Sequence, residues 1–300
     1  MRSSRLSTLP YLVILVAVWA ANWPILKLVL ADAGPFSFTA LRLLGGSAVI
    51  LGALAASGRA VLPARGTRVK LAVSGITQMG GMLGLSLAGL QFVGAGRAAV
   101  LTYTMQLWAL PIGALITRRW PRPLAVLGSL VSLAGLLLFF NPALVNWSDP
   151  KILYGNAVIL AAAISWAVGA VLYRHWNTSS DFWQQTAWQL LMASLPLIAA
   201  ALWTESDRPI HWTWYLFFAL AFNWLPGTAF AYFAWARILT VFPASTAGQA
   251  VMMVPILAYL LSAVFFGEVV TAGVLVSVLL IVIGLVLTLR AGAVRPPPAT

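Results

Sequence analysis

The feature that most constrains this chain is a succession of ten long apolar runs, nearly free of charge between their ends. They lie near 9–29, 35–56, 69–92, 95–117, 123–140, 152–173, 182–203, 212–236, 243–266 and 270–289. Each holds 18 to 25 residues, enough for a tilted helix across about 30 Å of hydrocarbon. The runs do not alternate apolar and polar at every second residue, as the strands of an outer-membrane barrel do. In lipid, each backbone N–H and C=O must find its partner within the segment or its neighbours, so each run reads as a helix.

Composition removes the alternatives. The chain is 61% hydrophobic and 8% charged, about a third of the charge of a typical soluble domain, which is roughly 25%. A soluble globular, disordered or fibrous protein is excluded, and a polytopic membrane protein remains. There is no cysteine, hence no disulfide framework, thiolate nucleophile or cysteine metal site. His175 and His211 flank span ends. No metal or other cofactor is expected. Arg2 and Arg5 ahead of Leu9–Ala21 also fit a signal peptide. The apolar stretch, however, continues through Ala31, past a short h-region, which favours an anchor that stays.

The net charge of +12 would suggest nucleic acid in a soluble protein. Here the charges segregate by side. With the N-terminus in the cytoplasm, inner segments hold 13 Lys and Arg residues, outer segments hold 4, and Arg42 lies within the second span. Of the acids only Asp181 is inside; Asp32, Asp149, Glu205, Asp207 and Glu268 are outside. Lys and Arg in short loops mark the cytoplasmic side. Both termini are therefore expected inside a cell (inner, plasma) membrane, which requires an even number of spans, and no nucleic-acid partner is expected. Two units are expected, 1–147 and 148–292, followed by a disordered tail at 293–300.

The two halves resemble each other at a nearly constant offset. Trp19-Ala20 recurs as Trp166-Ala167, Lys27 as Arg174, and Thr39-Ala40 as Thr186-Ala187, all 147 apart. Gly80-Gly81 falls on Pro226-Gly227 at 146, and Gly135-Leu136 on Gly284-Leu285 at 149. Single matches between apolar segments mean little, whereas a steady offset over several spans indicates a repeat. Five spans is an odd number, so the second unit enters the membrane inverted. Inverted-topology repeats are a recurrent construction of secondary transporters. Two similar units of opposite orientation give two shapes of similar energy, each open to one side.

With these motifs in place the chain resembles a known group. Trp19–Lys27 (WAANWPILK) and Pro35–Leu44 (PFSFTALRLL) are similar to the opening of the first EamA repeat of the drug/metabolite transporter superfamily. Gly155–Arg174 resembles the opening of the second repeat, and Ala247–Glu268 its closing Pro…Gly-Glu motif. In detail the chain looks most like the bacterial aromatic amino-acid exporters. The resemblance implies an all-α fold of ten transmembrane helices in two inverted five-helix repeats, with a central cavity lined by both halves. Two departures stand out at the 149 offset. Gln106 sits opposite Pro255, and Arg118-Arg119 opposite Gly267-Glu268.

Polar groups in mid-bilayer are costly and point to function. The third span carries Gln78 beside Gly80 and Gly81, and the eighth carries Asn223 beside Pro226 and Gly227. Glycine and proline weaken the helix ladder at corresponding places in the two halves, which makes these four the candidate hinges and their surroundings the candidate site. Close packing or a simple kink would explain the same residues. Thr102 and Gln106 share a face of the fourth span with Tyr103 alongside; Gln249 and Met252 share a face of the ninth; Trp19 and Asn22 lie one turn apart in the first. Together with Trp166, the repeat equivalent of Trp19, these groups could hold the ammonium, the carboxylate and an apolar or aromatic side chain of an amino acid. Helix–helix hydrogen bonding is the plain alternative for each. Arg42 fits either a carboxylate ligand or a snorkelling cation. Trp120, Trp147, Trp176, Trp183, Trp203, Trp212 and Trp214 fall near interfaces as an aromatic belt, and Trp108, Trp188 and Trp224 fall deeper.

An enzyme needs a nucleophile, base or metal gathered in a pocket. The spans contain no cysteine, histidine or carboxylate, and no HExxH, GxSxG or Walker A motif occurs. The expected function is export of small neutral, preferentially aromatic, amino acids and related metabolites by alternating access, with the bilayer and the solute as partners. Glu268 at the end of the ninth span reads as a helix-end group, and proton coupling is not expected. A proton-coupled metabolite or drug exporter and a membrane-embedded enzyme are the alternatives.

Overall fold

The computed structural model describes residues 2–118, 120–140, 149–176, 181–241, 251 and 253–293. Among them every regular element is helical. The first half comprises α1 (Arg2–Val29), α2 (Pro35–Ala56), α3 (Arg68–Gly75), α4 (Met82–Leu90), α5 (Ala95–Tyr103), α6 (Met105–Thr117) and α7 (Pro123–Phe140). The second comprises α8 (Pro150–Trp176), α9 (Phe182–Thr204), α10 (Trp214–Trp224), α11 (Ala231–Val241), α12 (Met253–Phe266) and α13 (Ala272–Ala293). Among the described residues seven stretches are long and apolar enough to cross a membrane: 8–29, 35–56, 65–90, 95–117, 150–176, 182–204 and 214–235. Three shorter apolar helices lie at 123–139, 253–266 and 272–288. The tail from 294 onward lies outside the described residues.

Few of the helices open on a capping side chain of their own, and acids supply what is missing. The first N–H groups of a helix have no partner within it. Asp181 accepts from the amides of Trp183 and Gln184 at the start of α9, and Asp149 from that of Lys151 at the start of α8. Thr213 caps α10 through the amide of Leu216 while its hydroxyl donates to Asp32. The remaining two act across the chain. Glu205 accepts from Phe36 N (2.8 Å), Ser37 N (2.9 Å) and Ser37 Oγ (2.6 Å), closing the start of α2 from beyond the end of α9. Glu268 accepts from Gly96 N (3.1 Å), closing the start of α5 from beyond the end of α12. Gly34 and Gly94 stand where a Cβ would collide with these carboxylates. Four of the six acids thus accept from helix N-termini, where the macrodipole favours a negative charge, and Asp32 holds the cap residue Thr213. Glu268 thus lies just past the end of α12 and against the start of α5.

One backbone turn recurs at two helix ends. Gly267, after α12, has φ +67°, and Arg118, after α6, has φ 54°. Both take the left-handed turn that ends a helix, and they are 149 residues apart. Arg118 keeps the geometry without the glycine.

The packing pairs α2 with α9, α5 with α12, and α7 with α13. α8 lies against α3, α4, α5 and α6, and α1 lies against α10, α11 and α12. The α7–α13 seam is built from small residues. A Cβ at Gly128 would lie 2.5 Å from Gly284 O, and Ser132 Oγ donates to Ile281 O at 3.0 Å. Such contacts let helix backbones approach closely, which drives association where lipid offers no hydrophobic gain. A central apolar cluster joins Trp23, Leu26, Phe38, Leu90, Leu101, Ile159, Leu216 and Leu220.

Polar contacts then close the two ends of the bundle. At one end Lys27 Nζ donates to Leu90 O (2.6 Å) and Val93 O (2.8 Å), His211 N donates to Asp32 O (2.8 Å), and Arg208 reaches Gln91 and Leu30 O. At the other, Arg59 pairs with Asp181, Gln184 Nε2 donates to Ala60 O and Leu62 O, and Arg122 donates to Ala291 O. Trp188, placed among the deeper tryptophans by sequence, instead donates its indole N–H to Val61 O between α2 and α3.

Candidate functional site

Two helices lose α geometry in mid-course. Residues Ile76–Gly81, between α3 and α4, and Leu225–Phe230, between α10 and α11, are π-helical. The second begins and ends 149 residues after the first (76 to 225, 81 to 230). Matching the small residues alone gave 146, so the interruption is the equivalent feature and the glycine pair is not. One local feature is shared by both. Two residues before each π stretch a side chain bonds back to the carbonyl four residues earlier: Ser74 Oγ to Lys70 O (2.8 Å) and Asn223 Nδ2 to Ala219 O (2.8 Å). Such back-bonding competes with the backbone ladder and bends helices. In the first stretch the freed carbonyl of Thr77 accepts from Ser165 Oγ of α8 at 2.8 Å. Isolated π turns of this kind occur frequently at functional sites.

The candidate residues fall into two groups. Around the first interruption, Gly80 faces Ala193 of α9. A Cβ at Gly81 would strike Ser165 Oγ, and one at Gly169 of α8 would lie 2.6 Å from Gln78 N. Gln78 and Trp166 are half-buried there. Around the second, Asn223 is fully buried and its Oδ1 has no hydrogen-bond partner. Gly227 is buried and Pro226 half-buried. Trp19 packs on the cluster containing Phe230, Ala231 and Ala234. Asn22, one turn on, is buried with Oδ1 likewise unpartnered. Tyr103 and Gln106 are half-buried on either side of Thr104, where the fourth apolar run breaks between α5 and α6. Thr102 is fully buried, with its hydroxyl 3.2 Å from that of Ser86, a helix-to-helix contact. Gln249 and Met252 lie outside the described residues.

The two groups meet at residues that sequence reasoning passed over. Tyr232, two residues past the second π stretch, donates its hydroxyl to Met79 Sδ of the first at 3.4 Å. Arg42 of α2 is their electrostatic neighbour through Tyr232. It is only 9% exposed, and its Nε is buried without a hydrogen-bond partner. α2 is drawn against the second interruption by glycine: Trp224 Nε1 donates to Leu41 O at 3.0 Å across Gly45, and a Cβ at Gly46 would touch Thr228 at 3.1 Å. The available signal was positional. Met79 lies between Gln78 and Gly80, and Tyr232 follows Pro226-Gly227 by about one turn and a half at 3.6 residues per turn.

Elsewhere, two cavities of about 250 Å³ each are lined by none of the candidate residues. One lies beside Arg59 and Trp183, the other beside Arg97, Tyr259 and Glu268. In the second, burial pushes the Glu268 carboxyl upward, opposed by hydrogen bonds from the backbone of Gly96, Ala95 and Arg97 and by the charge of Lys27. Among the described residues no group of three metal-ligating side chains occurs.

The comparisons with known proteins agree with this architecture. YoaV of Bacillus subtilis, an uncharacterized transporter, is 29% identical over 269 residues, covering 89% of this chain and 91% of its own. YvbV of the same organism, also an uncharacterized transporter, is 25% identical over 272 residues, covering 90% and 88%. A solved crystal structure superposes with a TM-score of 0.66 at 20% identity, covering 94% of this chain and 96% of that one, which shows likeness of fold. The EamA-like transporter family matches twice, over residues 6–141 and 153–290. The chain belongs to the EamA-like transporter family, within the drug/metabolite transporter superfamily, and is a multi-pass membrane transporter.

Proposed function

We propose that this transporter exports small neutral, preferentially aromatic, amino acids by alternating access, down the substrate's own gradient. The observation that carries the reading is the meeting of two helix interruptions, 149 residues apart, at Tyr232 and Met79. Paired interruptions in corresponding spans mark transporter binding sites, and π turns give each span a place to bend. Gly80, Gly81, Pro226 and Gly227 serve as hinges. Trp19, Asn22, Gln78, Tyr103, Gln106, Trp166 and Asn223 line the path, with Gln249 and Met252 completing it and Thr102 holding α5 against α4.

The same reading takes the chain as ten spans in two inverted units, 1–147 and 148–292. Joining α3 to α4, α5 to α6 and α10 to α11 through their interruptions gives ten. Exchanging the two units preserves the main packing pairs: α2–α9, α5–α12 and α7–α13 map onto themselves, and α8 against α3–α4 maps onto α1 against α10–α11. The double family match over 6–141 and 153–290 supports it too. Both termini then face the cytoplasm from the plasma membrane, with Glu205 and Glu268 at the outer end. Coupling to protons is absent in this account, because Asp149, Asp181, Glu205 and Glu268 are engaged at helix N-termini and Asp32 by Thr213.

Purified protein in liposomes tests the function. Under equal gradients phenylalanine is expected to enter faster than lysine or glutamate, and individual alanine replacement of Gln78, Tyr103 and Trp166 to alter its KM or maximal rate. Faster lysine or glutamate flux, or unchanged kinetics in all three folded variants, contradicts the proposal.

A further inference from the structure

We infer that Arg42 reads a carboxylate on the substrate, so that the site selects acids over amines and accepts aromatic carboxylates that lack an amino group. The inference rests on the proposed transport of neutral aromatic solutes and adds which end of the solute is recognised.

Arg42 is a permanent cation, since guanidinium does not lose its proton in proteins. It is the eighth residue of the 22-residue α2, so it is no helix-end cation bonding terminal carbonyls. Only 9% of it is exposed, and buried Nε makes no hydrogen bond. Among the described residues no carboxylate lies within ion-pair distance of Arg42, and Asp149, Asp181, Glu205 and Glu268 are engaged at helix starts. A guanidinium held inside a bundle without its anion has a strong demand for one, and a planar carboxylate matches its fork.

The surroundings suit a ligand that comes and goes. Tyr232 gives its hydroxyl to a thioether, a weak acceptor that a carboxylate oxygen would displace. That contact joins both interruptions, so a ligand bridging Arg42 and Tyr232 would engage α2 of one half and α11 of the other. Asn22 Oδ1 and Asn223 Oδ1 are buried without partners. The end of α1 and the starts of α2 and α10 share one face of the bundle through Asp32, His211 and Thr213. At 1.5 Å per residue, Asn22, Arg42 and Asn223 all lie about 10 to 14 Å below that face. Neutral amide oxygens at this level can accept from an ammonium but do not demand one, whereas the guanidinium demands an anion.

The test uses four probes of one shape: phenylalanine, 3-phenylpropionate, phenethylamine and phenylalaninamide. Each is titrated against the detergent-purified full chain, with thermal stabilisation as readout. The first two are expected to bind and the last two to bind roughly 10- to 100-fold more weakly, the range of a charge-assisted hydrogen bond. Arg42→Gln should abolish the ratio between carboxylate and amide, and Arg42→Lys should retain part of it. A merely structural Arg42 would shift all four probes alike. Equal binding of phenethylamine and phenylpropionate, or an unchanged ratio in folded Arg42→Gln, overturns the inference. If neither variant folds, the wild-type series alone decides. Binding of none of the four overturns instead the underlying reading of aromatic solutes.

Discussion

Removing the Glu205 carboxylate should unfasten α2. Pro35 has no N–H, and Phe38 N bonds to Gly34 O, so the two orphan donors at this helix start are Phe36 N and Ser37 N, both satisfied by Glu205. No side chain at the N-cap position replaces it. Losing a cap costs about 1 kcal/mol, and losing the negative charge at a helix N-terminus up to about 1 kcal/mol more. Glu205→Ala should therefore lower stability by about 2 kcal/mol, a drop in Tm of roughly 4–8 °C. Glu205→Gln keeps one acceptor and should lose about half of that. Gly34→Ala should act like Glu205→Ala, because a Cβ at Gly34 occupies the place of the carboxylate. The double variant should then be scarcely worse than either single one, the non-additivity expected of residues in direct contact. Tryptophan fluorescence melts in detergent at a fixed scan rate provide the readout, with 14 tryptophans as probes. A drop below 1 °C in Glu205→Ala, or additive losses in the double variant, would refute the trans-capping argument.

Three further outcomes follow from the packing and the helix ends. Gly284→Ala should cost about 2 kcal/mol by overpacking, since its Cβ would strike Gly128 O and Ser132 Oγ, whereas Gly52→Ala, with nothing within 4 Å, should be neutral or slightly stabilising; paired melts check both. Arg118→Gly should raise stability by about 1 kcal/mol, because an L-residue in the left-handed region is strained and glycine is not. Glu268 has its carboxyl raised by burial, so its contribution to stability is fully present below about pH 4.5 and is lost as pH rises through the folded value. Relative to Glu268→Gln, wild type should accordingly lose stability as pH climbs through that window, and melts from acid to neutral pH that stay parallel would contradict the assignment.

Much of the helix pattern was legible because lipid leaves the backbone so few options. The runs at 35–56, 95–117 and 123–140 coincide with α2, α5–α6 and α7. The hinge neighbourhood was legible as well, since Gly80, Gly81, Pro226 and Gly227 all fall inside π-helical stretches. That these would be π turns was not, because back-bonds like those of Ser74 and Asn223 also form within regular helix, at Ser277 and Thr288. Long-range contacts were invisible for the same reason. Glu205 and Phe36 are 169 residues apart, and nothing local to either says that they meet. One faint sign was there: Gly34-Pro35 and Gly94-Ala95 begin helices without Ser, Thr, Asp or Asn, so each start needs an acceptor from elsewhere. Tyr232 and Met79 look like ordinary apolar-run residues, and only the fold brings Tyr232 to both Met79 and Arg42.

Counterflow tests alternating access most directly. Proteoliposomes are loaded with unlabelled phenylalanine and diluted into a trace of labelled phenylalanine, with no pH gradient and a protonophore present. A carrier that must return its site through the membrane will take up label transiently above its equilibrium level, and the overshoot should vanish when the internal load is omitted. That overshoot is the expected result. Label that rises only to equilibrium with and without the load, or accumulation that needs an imposed pH gradient, would contradict it.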